Sequence, residues 1–203
     1  MHWRIRSTRA FLWIAVLSGA VVLGAKLFDL RVLAGAWSAS PPESLALLPY
    51  GSRWPVDTGE FFIPSSAALL LSSFGAVVTG WKTRQWYRAL LLVPLAITLG
   101  TLVFTVLWFW PANRALWHAA ISAPDAMTDR GQIIALTRRW IAHDWLRVAM
   151  AFIGLVCSIQ ALSMPFPDPD PTAAPPSMAL KVVYAVGLAA VVAFLAYFLR
   201  KGL

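Results

Sequence analysis

"RRWIAHDWLRVAMAFIGLVC", residues 138 to 157, begins like a solvated helix and ends like one made for lipid. At about 100° per residue, Trp140, His143, Asp144 and Arg147 fall within an arc of about 100° and share one face. "VAMAFIGLVC" follows Arg147 at once, so the guanidinium stands at or below the apolar boundary. A charged side chain there is expected to face a bundle interior or a wet cavity, which makes it a functional candidate. A plainer reading stands beside it. Arg147 snorkels to the headgroups, Asp144 is its local partner, and Trp140 and Trp145 belong to an interfacial belt.

Composition supports the lipid half of this reading. The 203 residues are 59% hydrophobic and 13% charged, with mean hydropathy +0.68. A soluble domain carries about 25% charge, so lipid must cover part of this surface. The net charge of +8 lies in short clusters beside apolar runs: Arg4, Arg6 and Arg9, then Lys82, Arg84 and Arg88. That placement points to membrane orientation and anionic headgroups, and no nucleic-acid partner is expected. Many of the 11 tryptophans, among them Trp3, Trp81, Trp86, Trp108 and Trp110, lie near the ends of those runs. The single cysteine, Cys157, excludes an intrachain disulfide and a dithiol redox pair.

The runs give an all-α integral membrane helical bundle, a four-helix core plus a fifth C-terminal transmembrane helix. The first run is Ala10 to Leu30, long for a signal peptide. Lys26 and Asp29 near its end and Arg31 just after it stand before the small-residue stretch Ala34-Gly35-Ala36, so an uncleaved span is expected. An outer loop over residues 31–64 follows, rich in proline, with a helical turn or two in "ESLALLPY". Pro64-Ser65-Ser66 reads as the start of the second helix. The second run is Ser65 to Trp81, and the third is Ala89 to Trp110, continuing through "PANRALWHAAI" with Pro94 and Pro111 as possible kinks. The fourth helix runs from Gly131 to about Leu162, about 45 Å, so its first turns project beyond the bilayer core. Residues 1–162 form the four-span unit, 163–177 a stiff proline-rich linker, and 178–203 the fifth span, from Met178 to Leu199.

Two basic clusters, one before the first span and one after the second, fall on the same side. The positive-inside rule makes that side cytoplasmic, in a multi-pass protein of the cell (inner) membrane. Arg114, Arg130, Arg138 and Arg139 then lie outside, as does Arg200-Lys201.

The third helix offers a complement to the polar face: Pro111, Asn113, Arg114, Trp117 and His118. A short turn joins it to the fourth, which makes the two antiparallel neighbours and sets Asn113 and His118 near the level of Trp140 to Arg147. No metal site is expected. The only glutamates, Glu43 and Glu60, lie in the outer loop, and His2, His118 and His143 are too few for a histidine-rich centre. Both His118 and His143 sit at helix ends, which argues against axial haem ligation. The chain has no P-loop, G-x-G-x-x-G or G-x-S-x-G.

"PANRAL" (111–116) and "RWIAHDWLR" (139–147) carry a resemblance to the anthrone-oxygenase-like family of small four-span membrane proteins, mostly of unknown function. The family's Pro-x-Asn is matched by Pro111 and Asn113. Its Trp-x-x-(His/Asn)-x-x-x-Arg is matched by Trp140, His143 and Arg147. The resemblance spans residues 10–162, and the fifth span departs from the family plan. It implies oxidation of an anthrone to an anthraquinone by O₂ without a cofactor. In that chemistry His143 is the base, and Arg147 with Asn113 balances the oxyanion. Asp144 or a backbone carbonyl orients the imidazole. Trp140 and Trp117 stack on a flat substrate, with His118 also at the binding level. Other classes remain open. One is an accessory membrane subunit that holds a lipid or quinone-like ligand, docks a partner membrane protein or self-associates. Another is a purely structural subunit.

Overall fold

A computed structural model of the chain describes residues 2–49, 58–121 and 130–172, with Met178 and Val182. All regular structure among them is helical. Six α-helices are present among the described residues: α1 (His2–Phe28), α2 (Ala34–Trp37), α3 (Thr58–Gly80), α4 (Gln85–Phe104), α5 (Trp110–Ile121) and α6 (Arg130–Ser163). A five-residue π-helical turn, Asp29–Leu33, fuses α1 to α2, and another, Thr105–Phe109, fuses α4 to α5. Among the described residues the result is four stretches long and apolar enough to cross a membrane: His2–Trp37, Thr58–Gly80, Gln85–Ile121 and Arg130–Ser163. They form an integral membrane bundle in which α1 packs on α3 and α6, and α4 on the same two helices.

Lipid-facing composition explains why these runs stay helical. Only helices satisfy their own backbone in hydrocarbon. Large apolar side chains such as Leu17, Leu107, Phe152 and Ile153 stand exposed on the outer surface, where a bilayer covers them. Small residues set the tightest contacts. A Cβ on Gly75 would lie 2.7 Å from the Phe11 ring, so glycine is what lets α1 and α3 approach this closely.

Three boundaries differ from the expectation. The first helix does not end near Leu30. It bulges at Asp29 and continues to Trp37. The loop expected over 31–64 is therefore shorter, and it holds a 3₁₀ turn at Glu43–Leu47. The second helix does not start at Pro64, because α3 already begins at Thr58 and carries Pro64 inside it. Proline there removes only the N–H that would serve the Glu60 carbonyl. The neighbouring Ser65 hydroxyl donates to the carbonyls of Phe61 and Phe62, at 3.2 and 3.1 Å. Past α6, residues 164–172 form an irregular strap, as its proline content predicts. The fifth span expected from Met178 to Leu199 lies outside the described residues apart from Met178 and Val182.

The described core falls into two clusters. One apolar cluster, with Leu12, Tyr87, Leu91 and Ala161, fills the end near the N-terminus and the α3–α4 turn. The other, with Trp37, Leu45, Phe109, Leu116 and Trp140, fills the opposite end.

Candidate functional site

The two π-helical turns converge on one place. In each, a backbone N–H reaches back five residues, from Ala34 to the Asp29 carbonyl and from Trp110 to the Thr105 carbonyl. In the second turn the bulge accommodates Pro111, whose missing N–H leaves the Leu107 carbonyl without its usual donor. The outcome is that Asp29 from one turn, and Thr105, Trp108 and Phe109 from the other, all face the polar stripe of α6.

The stripe holds a buried charge network. Asp144 is fully buried, and its Oδ1 accepts from Arg147 Nε at 2.7 Å and from Lys26 Nζ at 3.3 Å. Arg147 Nη2 also meets this oxygen. Lys26 Nζ bridges to Asp29 Oδ2 at 3.1 Å, and it lies 4.6 Å from the centre of the Phe62 ring. Arg147 Nη1 donates to Thr105 Oγ1 at 3.2 Å, while that hydroxyl donates to the Thr101 carbonyl. The guanidinium sits 3.2 Å from the Phe109 ring centre. Two cations and two carboxylates thus neutralise one another, which is the arrangement that permits charge in a low-dielectric interior. Asp29 Oδ1 and Asp144 Oδ2 are buried with no hydrogen-bond partner.

Beside the network lies an aromatic box. Trp140 Nε1 donates to Asn113 Oδ1 at 2.7 Å. Because the indole is only a donor, this bond assigns the amide orientation, with the Asn113 NH₂ pointing away from Trp140. Trp140 is edge-on to Trp37 at 5.0 Å and to Phe109 at 5.4 Å. The His143 imidazole stands edge-on to Trp108 at 4.1 Å and to Phe104 at 5.5 Å. Its Nδ1 is buried and has no partner.

The expected residues divide accordingly. Asn113, Trp140, Asp144 and Arg147 come together with His143 at the α4–α5 bulge. Trp117 is half-buried one turn past Asn113, and His118 is exposed. Asp144 makes no hydrogen bond to the imidazole: its Oδ1 is shared by Lys26 and Arg147, and its Oδ2 and His143 Nδ1 are each without a partner. Arg147 does not offer a free guanidinium to an oxyanion either, since three of its nitrogens hold protein oxygens. Lys26 and Asp29 are the residues that sequence reasoning missed as part of the site. Their signal was a Lys-x-x-Asp pair closing an apolar run, the spacing that brings side chains together on a helix.

Outside this cluster, Arg130 grips Glu43 with Nη1–Oε1 at 2.6 Å and Nη2–Oε2 at 3.2 Å, tying the 3₁₀ turn to the start of α6. The Glu43 carboxyl is held below its ordinary value, first by its own backbone N–H and then by Arg130.

Comparison with known families gives one finding. The family model described as anthrone oxygenase matches residues 54–157, just over half of the chain. The matched range holds Asn113, Trp140, His143, Asp144 and Arg147, and leaves Lys26 and Asp29 outside. No curated protein and no solved structure shows significant similarity.

Proposed function

The chain belongs to the anthrone oxygenase family, and from that premise we propose that the aromatic box binds a flat, weakly acidic aromatic of the anthrone type for oxidation by O₂. The supporting observation is His143, with Nδ1 buried, unpartnered and walled by Trp108 and Phe104. An imidazole nitrogen with no internal partner is free to take a proton from a bound carbon acid. The anthrone CH₂ gives its proton to His143 and becomes an aromatic enolate. The outward NH₂ of Asn113 donates to the developing oxyanion. Electrons then pass from the carbanion to O₂, the new C–O bond forms, and loss of water leaves the quinone. The balance is R₂CH₂ + O₂ → R₂C=O + H₂O. Arg147 and Asp144 fix the floor beneath this chemistry, and Trp140 positions Asn113.

The reading is tested with purified protein by following O₂ uptake and quinone absorbance on an added anthrone. His143→Ala is expected to lose 10²-fold or more in turnover while still binding the aromatic. Equal turnover in wild type and His143→Ala would remove His143 from the chemistry.

A second reading, a non-catalytic subunit that holds a quinone or docks another membrane protein or a second copy, is favoured by one observation. The charge network is closed upon itself. Wild-type protein that binds anthrones and quinones yet consumes no O₂ would select it. In both readings the N-terminus is cytoplasmic and the aromatic box lies at the outer side of the cell membrane.

A further inference from the structure

The end of the bundle opposite the aromatic box carries a small slot between the first turn of α1, the α3–α4 turn and the strap after α6. Arg4, Ile5, Thr79, Lys82, Phe166 and Pro169 line it, with mostly apolar walls. Arg4 is anchored there. Its Nε and Nη2 donate to the Thr79 carbonyl at 3.2 and 2.9 Å, a carbonyl in the last turn of α3. That leaves Nη1 without a protein partner among the described residues. Lys82 is exposed on the other side of the slot, and its ammonium has no partner among the described residues either.

The strap wall is fixed in place. The Asp170 N–H donates to the Lys82 carbonyl at 2.8 Å, the Asp170 carboxylate meets Arg88 at 3.8 Å, and Phe166 stacks edge-on to Tyr87 at 5.5 Å. Of the strap's two carboxylates, Asp170 is engaged by Arg88, and Asp168 is exposed and forms no ion pair with Arg4 or Lys82 among the described residues. Trp3 and Trp86, 64% and 47% exposed, flank the same end. Exposed indoles at the end of apolar helices mark the headgroup level of a bilayer.

We infer that this slot binds the phosphate of an anionic phospholipid, with Arg4 Nη1 and Lys82 Nζ as donors and the Ile5–Phe166–Pro169 wall against the glycerol. Charge complementarity carries the assignment. Two cations that form no ion pair among the described residues flank an apolar-walled slot at the level of the exposed indoles, where lipid phosphates lie. Such a site fixes the height of α1 in the membrane independently of any chemistry in the aromatic box.

The test is native mass spectrometry of the full chain in detergent, titrated with dioleoylphosphatidylglycerol or dioleoylphosphatidylcholine. Phosphatidylglycerol should be retained in preference. Lys82→Gln should weaken its retention about fivefold, as expected for one cation beside an anionic headgroup. Ile5→Trp, which fills the slot without changing charge, should weaken it as well. Arg6→Gln, exposed at the same end but outside the slot, should leave it unchanged. Millimolar inorganic phosphate should not displace the lipid. Full displacement would make this a free-anion site and overturn the lipid assignment. An unaltered Lys82→Gln or Ile5→Trp, or an equal loss in Arg6→Gln, would reduce the effect to the diffuse field of the basic end and overturn the slot.

Discussion

Asp144 holds two cations with one oxygen, so it is the residue on which the network turns. Asp144→Asn keeps the shape and removes the charge, leaving Lys26 and Arg147 to share Asp29 in a buried setting. Breaking one side of a buried ion network costs about 3–5 kcal/mol. The expected outcome is a much lower thermal midpoint in detergent, read by size-exclusion after heating. Wild-type behaviour would mean that water reaches the network freely. Trp140→Phe is milder. It keeps the ring contacts with Trp37 and Phe109 but strips Asn113 Oδ1 of its donor, a loss of about 1 kcal/mol. If Trp140 positions Asn113, this variant should also lower turnover on an anthrone by more than its stability loss explains. The α6 half of the site was legible in sequence because Trp140, His143, Asp144 and Arg147 repeat at helical spacing. Asn113 was legible too, as the polar residue closing the neighbouring span, but the α1 part was not, because Lys26 lies 118 residues from Asp144. No local period reports a contact of that separation, and Lys26 and Asp29 read only as charges ending an apolar run.

At the scale of elements, helices were legible and their interruptions were not. A π-helical turn costs one residue of register and keeps the hydropathy pattern on both sides, so it leaves no gap to find. Pro111 signalled a disturbance, and the structure resolves it as a bulge one turn earlier. Pro64 signalled a start, yet α3 runs through it: the proline lies near the helix start, where it removes a single backbone bond, and the Ser65 hydroxyl bonds the neighbouring Phe61 and Phe62 carbonyls. Close approach has its own test. Gly75→Leu has to push the Phe11 ring aside and part α1 from α3, and overpacking of this kind costs about 1–3 kcal/mol. A lowered thermal midpoint checks it, and Phe11→Ala should relieve part of the loss. The Glu43–Arg130 clamp supplies a pH dependence. The folded carboxyl lies below its ordinary value of 4.5, so the clamp contributes fully above that value. It is lost as pH falls through the lower, folded value. Hydrogen exchange at Glu43–Leu47 should therefore quicken on acidification, after correction for intrinsic rates, and Arg130→Gln should give the fast rate already at neutral pH. Exchange that is equal in both proteins would mean that the turn is held by Leu45 and Leu48 alone.

At the scale of the molecule, two ends differ in kind. One carries Arg4, Arg6, Lys82 and Arg84 with the small apolar-walled slot. The other carries the aromatic box and the clamped 3₁₀ turn. Length and hydropathy made the four spans legible, because a hydrocarbon core of about 30 Å imposes a count of residues that any apolar run either meets or fails. Which end faces which compartment is a weaker signal, since it rests on the balance of Lys and Arg in short turns, and Arg130, Arg138 and Arg139 oppose the trend. The prediction is that the slot end is cytoplasmic. Cys157, the only cysteine, is first replaced by alanine, so that added thiols report alone. Ala46 in the 3₁₀ turn and Arg84 at the start of α4 are both exposed, at opposite ends, and each is changed to cysteine in turn. An impermeant maleimide on intact cells should label Ala46→Cys and spare Arg84→Cys until the cells are opened. The reverse pattern would turn the molecule over. The aromatic box would then open toward the cytoplasm, so a substrate made there would reach His143 without crossing the membrane. The phospholipid slot would face the outer leaflet, where the positive-inside argument for its cations no longer applies.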